Sequence, residues 1–426
     1  MKQLLALLLL CVSFFSSCKK TYEVPVLNTN SWSLFNDPSA QPIQSTARTA
    51  MEGIYQLSAA DGFFGGSLAL KWSHVIKNND TVFHVSGFFQ KDIAYFICEG
   101  KLLKDSILLN GYWRKMVSTE TGLIHLVIAA GEGASLLLSN NPVINKGSVI
   151  VHGLYGNGGD EPGNSIAFAY ERKLNNSLPG FQIAAHRSGG RNSDLLPVSE
   201  NSVAMILKTP EFGSTGIEVD VRYTKDGVPI LYHDNTLNLR VVQKSGLVGP
   251  IENYTYDQLS TFVRLIHGEK IPTLREALDA VVYQTDLSFV WLDTKYTGSI
   301  APVHAIQQEY IQKAAAIGRK LNIVIGLPEP DQYEQFKQLP DYANTPSLCE
   351  LGLSESNAIN ARIWAPRFTE GTQNELVDQA HAAGRKVYVW TVDVPEFIEE
   401  FINDGHFDGI LSNFPSCVAY NYYAHQ

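Results

Sequence analysis

Basic residues are the first shortage in this 426-residue chain: 33 Lys and Arg stand against 43 Asp and Glu, a formal net charge of −10. Nonspecific binding to a nucleic-acid backbone releases counterions through clustered Lys and Arg, and no such cluster is present. Nucleic acid is therefore excluded as a partner, whereas a small anionic ligand, which needs only a local positive spot, is not. Cysteine is scarce as well. Beyond Cys11 and Cys18 there are only Cys98, Cys349 and Cys417. An odd number at wide spacing is neither a disulfide framework nor a zinc site, so these three are expected to be small buried apolar residues. Long apolar runs are also missing, since even the run 4–15 falls short of the roughly twenty residues that span a bilayer. What the chain does have is apolar material for globular cores, with 45% hydrophobic and only 18% charged residues. Its length suggests two domains.

At the start, Lys2, the apolar run and the small residues Ser16 and Ser17 ahead of Cys18 form a processing signal over residues 1–18. The arrangement resembles a bacterial lipoprotein signal. That likeness implies cleavage before Cys18 and lipidation of its thiol. The mature chain would then sit, through its N-terminal lipid, at a membrane surface of the bacterial cell envelope, on the periplasmic face or the cell surface. Residues 19–48 are polar and weakly patterned, and read as a tether.

Residues 49–173 change character. Segments such as TVFHVSGFF, IAYFICEGKL and SIAFAYERKL alternate apolar with polar residues, are rich in aromatic and β-branched types, and are separated by Gly, Asn and Asp. They predict an all-β sandwich or small barrel. LNNSLPG (174–180) reads as a linker. In 181–426 the pattern becomes strands alternating with amphipathic helices, two of which are predicted over 302–321 and 371–386. Eight strand candidates follow one another: FQIAAH, GIEVDV, SFVWLDTK, NIVIGLP, SLCEL, RIWAP, KVYVWTV and DGILSN. This is the α/β signature of a (β/α)₈ TIM-type barrel. Lys225-Asp226-Gly227 between two strand-like runs predicts a hairpin that brings Asp220 close to Tyr232 and His233.

Polar islands interrupt the apolar text of 183–234: His186-Arg187, Glu200-Asn201, Glu218-Val219-Asp220 and His233-Asp234. Carboxylates bind hard cations, imidazoles exchange protons near neutral pH, and a guanidinium forks onto phosphate, so the set suits metal-assisted phosphoryl chemistry. Glu218 and Asp220 lie two apart on a strand and leave the same face, which in a barrel is the interior. Two buried carboxylates side by side repel each other, and a cation is the natural compensation. Asp293, closing the SFVWLDTK strand, is the third ligand candidate, and all-oxygen ligands fit Mg²⁺ or Ca²⁺. His186 and His233 both stand at strand ends, where the catalytic mouth of such a barrel lies. Arg187 is placed to hold a nonbridging phosphate oxygen. Lys295, on the same face as Asp293, would neutralise charge developing on phosphate. Trp390 either packs against the substrate or simply fills the barrel mouth. Glu200-Asn201 could equally be the cap of the following helix, as could Ser202.

The order and spacing of the islands resemble the glycerophosphodiester phosphodiesterase family, as do IEVDVRYTKDGVPILYHD (217–234), Arg240, KIPTLREAL (270–278), KVYVWTVD (386–393) and FDGILSNFP (407–415). The resemblance implies the TIM-type barrel. It also implies a general acid–base pair in His186 and His233, a metal cluster in Glu218, Asp220 and Asp293, and Glu200 near that cluster. The expected reaction is cleavage of a small glycerophosphodiester into sn-glycerol 3-phosphate and an alcohol. Three departures stand out. Asp293 replaces the family's Glu. HRSGGRNSDLLPVSEN (186–201) is longer than usual and has Ser199 in place of Pro. SNFP stands where Thr-Asp commonly precedes Pro. Rival expectations are a lysophospholipase D or phosphoinositide-type phosphodiesterase, and a noncatalytic surface binding module.

Overall fold

The computed structural model describes residues 27–425 except 119, 177 and 179, so the processing signal with Cys18 lies outside the described residues. Eight strands open the fold: Gly53–Ala59, Ser67–Lys77, Asp80–Phe89, Ala94–Leu103, Ser106–Lys115, Thr121–Ile128, Ile150–Tyr155 and Asn164–Arg172. Each pairs antiparallel with the next, and the last returns to the first through Tyr55↔Tyr170. The ring is therefore closed, which decides between sandwich and barrel and leaves no free sheet edge. Its hairpins are tight. Lys77 pairs with Asp80 across Asn78 (φ 52°) and Asn79 (φ 67°), a two-residue turn whose positive φ values match the strand twist. The interior is solid, with Tyr55, Phe64, Phe89, Phe96, Trp113 and Phe168 in one buried cluster. Phe64 stacks on Phe89 at 4.4 Å and meets Trp113 edge-on at 5.3 Å.

The expected tether needs correction over 27–48. Trp32 stacks on His125 at 4.5 Å, Phe35 packs with Leu103 and Leu108, and the Phe35 carbonyl accepts from Lys101 Nζ at 3.0 Å. Helix Ser45–Met51 then buries Ala47 and Met51. A few large apolar side chains suffice, because each buried one contributes roughly 1.5–3 kcal/mol even without periodicity.

The second barrel has the eight expected parallel strands: Gln182–Ala185, Gly216–Tyr223, Phe289–Thr294, Asn322–Leu327, Ser347–Cys349, Ile363–Trp364, Lys386–Val389 and Gly409–Ser412. They pair in chain order, and the first also pairs with the last. A helix follows each strand, from Val203–Lys208 after the first to Pro415–Ala424 after the eighth. The predicted helix 302–321 is observed as Ala301–Ala316, because Gly318 takes φ 75° and stops it. Gly384, at φ 76°, likewise cuts 371–386 back to Asn374–Ala382. Along Gly216–Tyr223, Ile217, Val219 and Val221 face the helices, and Glu218 and Asp220 face inward. The hairpin forms as expected: Pro229–Leu231 pairs back with Val221↔Leu231, and the Tyr232 amide donates to the Asp220 carbonyl at 3.0 Å.

The two barrels share one apolar interface. Ile54, Ala69, Phe88, Tyr95 and Ile97 cluster with Phe181, Phe212, Val418, Ala419 and Tyr422. Cys98, Cys349 and Cys417 are free and buried. Among the described residues, no helix is long and apolar enough to cross a membrane.

Candidate active site

Parallel register brings the carboxylates together. Asp220 pairs with Asp293 and Glu218 with Trp291, so the acidic ends of the second and third strands stand side by side at the mouth of the barrel. Glu218, Asp220 and Asp293 are all buried, with ligand oxygens within 4.8 Å of one another. Glu218 Oε1, Asp220 Oδ1 and Asp293 Oδ1 are sealed from solvent and accept no hydrogen bond. Buried carboxylate oxygens without donors are strongly disfavoured unless a cation meets them, so these residues fit a hard divalent ion. Burial, then repulsion from Asp220 and Asp293, pushes the Glu218 carboxyl well up, and burial also raises Asp293. Burial raises Asp220 too, but Lys295, His233, Arg187 and His186 outweigh it and hold Asp220 below its ordinary value. Lys295 pairs with Asp293 and lies 3.4 Å from Asp220 Oδ1.

His186 follows directly on the first strand, where the chain turns outward through Arg187 (φ 51°) and Ser188 (φ 65°). The turn aims the Arg187 amide at Glu218 Oε2, 2.7 Å away. His186 Nδ1 lies 2.8 Å from Asn413 Oδ1, and its Nε2 is 3.8 Å from Glu218 Oε2. Burial, followed by the Arg187 charge, pushes the His186 imidazole down to about 4, so it is neutral at physiological pH. His233, at the end of the hairpin, has Nδ1 2.6 Å from Asp234 Oδ1. Asp234 also accepts from Arg240 Nη2 at 2.6 Å and Asn238 Nδ2 at 2.7 Å. Burial opposes its charge, but these donors hold the carboxyl well below its usual range.

One cavity of about 290 Å³ collects His186, Arg187, Glu218, His233, Asp293 and Lys295, with Trp390 on its wall. Larger grooves of about 780 and 910 Å³ lie elsewhere and contain none of these residues. Glu200, expected near the metal cluster, does not line the cavity. It is buried behind Arg187, accepting from Arg187 Nη1 and Arg240 Nη1 at 3.0 Å each and from the Asn192 amide at 2.8 Å. A carboxylate so fully engaged positions the guanidinium that reaches the site. Capping of the following helix falls to Ser202, whose side chain accepts from the Met205 amide.

Several roles escaped the sequence reading, although Asn201 and Asp234 stand in its polar islands. Asn201 clamps Asp220 from both sides, donating to Oδ2 at 2.6 Å and accepting from the Asp220 amide at 3.1 Å. Asn413 and Asp234 orient the histidines. Opposite them, the cavity wall carries Glu329, Glu350 and Arg367, the last lying 5.0 Å over the Trp390 ring. Glu350 Oε1 is sealed and unpartnered, and burial together with Asp293 pushes that carboxyl up. The signal for Asp234 was its place beside His233. Strand-end position alone pointed to Glu350, and nothing local pointed to Asn413.

The second barrel is similar to known proteins. The pattern of the glycerophosphoryl diester phosphodiesterase family matches residues 186–417. The chain is similar to a glycerophosphodiester phosphodiesterase of Caldanaerobacter subterraneus, 27% identical over 245 residues, covering 55% of this chain and 95% of that one. It is 33% identical over 102 residues to the human glycerophosphodiester phosphodiesterase 1, covering 22% of this chain and 28% of the human protein. A solved Oleispira antarctica phosphodiesterase, in complex with sn-glycerol-3-phosphate, superposes with a TM-score of 0.45 at 19% identity, over 57% of this chain and 95% of that one. With the family pattern running through more than half of its residues, from His186 to the helix after the last barrel strand, the chain belongs to the glycerophosphoryl diester phosphodiesterase family.

Proposed function

We propose that this family member is a metal-dependent phosphodiesterase that cleaves a small glycerophosphodiester into sn-glycerol 3-phosphate and an alcohol, with His186 as general base and His233 as general acid. The observation that carries the reading is the trio of sealed carboxylate oxygens that accept no hydrogen bond, set between two imidazoles whose Nδ1 atoms are both engaged. Glu218, Asp220 and Asp293 would hold Mg²⁺ or Ca²⁺. When bound, the ion supplies polarisation of the phosphate and a more acidic attacking hydroxyl. Arg187 and Lys295 both lie beside Asp220 and would balance the charge of the phosphodiester. His186 Nε2 takes the proton of the attacking hydroxyl. His233 donates a proton to the oxygen of the departing alcohol, and Asp234 stabilises its charged form. Trp390 bounds the space left for the leaving group.

The test is turnover of glycerophosphodiesters with and without chelator, alongside Glu218→Gln. Both treatments should abolish activity while the melting curve of Glu218→Gln stays native-like, and added Mg²⁺ or Ca²⁺ should restore only the chelated protein. Undiminished turnover with verified absence of metal sinks the reading. We also propose that Cys18 carries lipid and holds the enzyme at a membrane of the cell envelope. Mass spectrometry of the membrane fraction should find a modified Cys18 at the mature N-terminus, and an unmodified thiol there would refute this.

A further inference from the structure

The long loop 188–199 does not hang free at the catalytic mouth: it is gripped by the amino-terminal barrel. Arg114, near the end of strand Ser106–Lys115, is 3% exposed, and its Nη2 donates to the Asp194 carbonyl at 3.0 Å. Tyr95 and Met116 of the same barrel share an apolar cluster with Leu196 and Phe212. Beyond Asp194 the polar contacts continue, with one longer ion-pair step between Arg191 and Asp393. Its carboxylate accepts from the Arg191 amide at 2.8 Å, from Nε at 3.2 Å and from Nη2 at 2.9 Å. Arg191 Nη1 lies 3.9 Å from Asp393 Oδ2. Asp393 accepts from the Asn413 amide at 2.9 Å and from Asn413 Nδ2 at 2.6 Å. Asn413 Oδ1 meets His186 Nδ1 at 2.8 Å.

Each link constrains the next. An ionised carboxylate can only accept, so Asp393 turns the Asn413 NH₂ toward itself and the amide oxygen toward His186. That oxygen also only accepts, so the proton of the neutral ring sits on Nδ1 and the lone pair on Nε2 faces the carboxylate cluster. Asp393 in turn keeps its place against Arg191, whose own position is set by Asp194, and Asp194 is anchored by Arg114 from the other domain.

We propose that the amino-terminal barrel is a working part of the active site, with Arg114 a positioning residue that holds the 188–199 loop so that Arg191, Asp393 and Asn413 keep His186 in its Nε2-free orientation. The proposal deepens the assignment of His186 as proton acceptor and rests on it. The loop is thereby tied to the amino-terminal barrel through Asp194 and Leu196.

The test is steady-state kinetics of the full-length, metal-loaded protein on glycerophosphocholine. Arg114→Ala should lower kcat about tenfold, the scale of coupling through a packed network, and leave KM nearly unchanged. Arg114→Lys, whose ammonium still donates to the Asp194 carbonyl, should recover most of the rate. Asp393→Asn should lower kcat further, and adding Arg114→Ala to it should cost nothing more, because both act through one chain. Should Arg114→Ala not fold, Arg114→Met, which keeps the stem and drops only the donors, is measured in its place. A native kcat in the folded variant, losses that multiply in the double variant, or a change in KM alone would overturn the proposal. Full activity of His186→Gln would instead overturn the underlying assignment, so the two failures are distinguishable.

Discussion

His186 and His233 are held by acceptors of different charge, and that difference separates their roles. Asn413 offers His186 a neutral amide oxygen, whereas Asp234 offers His233 an ionised carboxylate. Burial and the Arg187 charge push the His186 imidazole down to about 4, outweighing the upward pull of the Asn413 amide oxygen. His186 thus rests neutral with Nε2 free, and His233 is held through Nδ1 by a carboxylate. Replacing either with Ala is expected to lower kcat on ordinary glycerophosphodiesters by about 10²- to 10⁴-fold, with metal binding largely kept. A nitrophenyl ester of glycerophosphate separates them, because nitrophenolate leaves without protonation. On that substrate the His233→Ala enzyme should regain most of its rate and the His186→Ala enzyme should not. Recovery by His186→Ala instead would reverse the assignment.

At the scale of elements, inward and outward faces could be read from spacing alone, and register turned them into a site. Alternation in GIEVDV was enough to send Glu218 and Asp220 inward, and the parallel register then set Asp220 beside Asp293. Asp-Gly between two apolar runs announced the hairpin that carries His233. What stayed hidden depends on contacts between distant segments. Asn413 and His186 are 227 residues apart, and they meet only because the eighth strand closes against the first. The packing of Trp32 and Phe35 was equally invisible, since isolated aromatics carry no period.

His84 shows how an element's burial creates a measurable dependence on pH. It sits on strand Asp80–Phe89, 3.5 Å from Glu211 of the second barrel, with Lys208 bound to the same carboxylate. Burial lowers the His84 imidazole below 6.5, although Glu211 and Glu99 pull upward; Lys208 and Lys77 add to the lowering. The unfolded chain therefore binds a proton near 6.5 that the folded chain refuses until lower pH. Stability carried at this position is complete above 6.5 and declines as pH falls through that value. His84→Gln should flatten this part of the acid slope, read as a smaller shift in urea midpoint between about pH 7.5 and about pH 5.5 than the parent shows. An unchanged slope would mean that His84 does not titrate in this window.

Taken whole, the molecule is two closed barrels that complete each other. Closure leaves neither barrel a free sheet edge, so they meet mainly through side chains, with one backbone bridge at Val75↔Thr285. Phe212 lies edge-on to Tyr95 with ring centroids 5.6 Å apart, and Ser67 and Tyr420 share a hydrogen bond at 2.8 Å. Phe181, Phe212, Val418, Ala419 and Tyr422 are buried in the complete chain against Ile54, Phe88 and Ile97. Removing the first barrel would return that face to water, at roughly 1.5–3 kcal/mol for each large side chain uncovered, and would leave a contiguous apolar patch of the kind that drives association. The second barrel contains every residue of the catalytic cavity, yet residues 181–425 alone are expected to melt at lower temperature than the full chain and to elute as aggregates. Replacing Phe212 and Val418 with polar residues in that fragment should restore a monomer without restoring the melting temperature, since it removes the exposed patch but not the lost burial. Gel filtration with light scattering and thermal melts of the two fragments against the full chain decide the matter. A monodisperse, unsubstituted fragment with the full chain's melting temperature would show that the interface contributes no stability to the catalytic barrel.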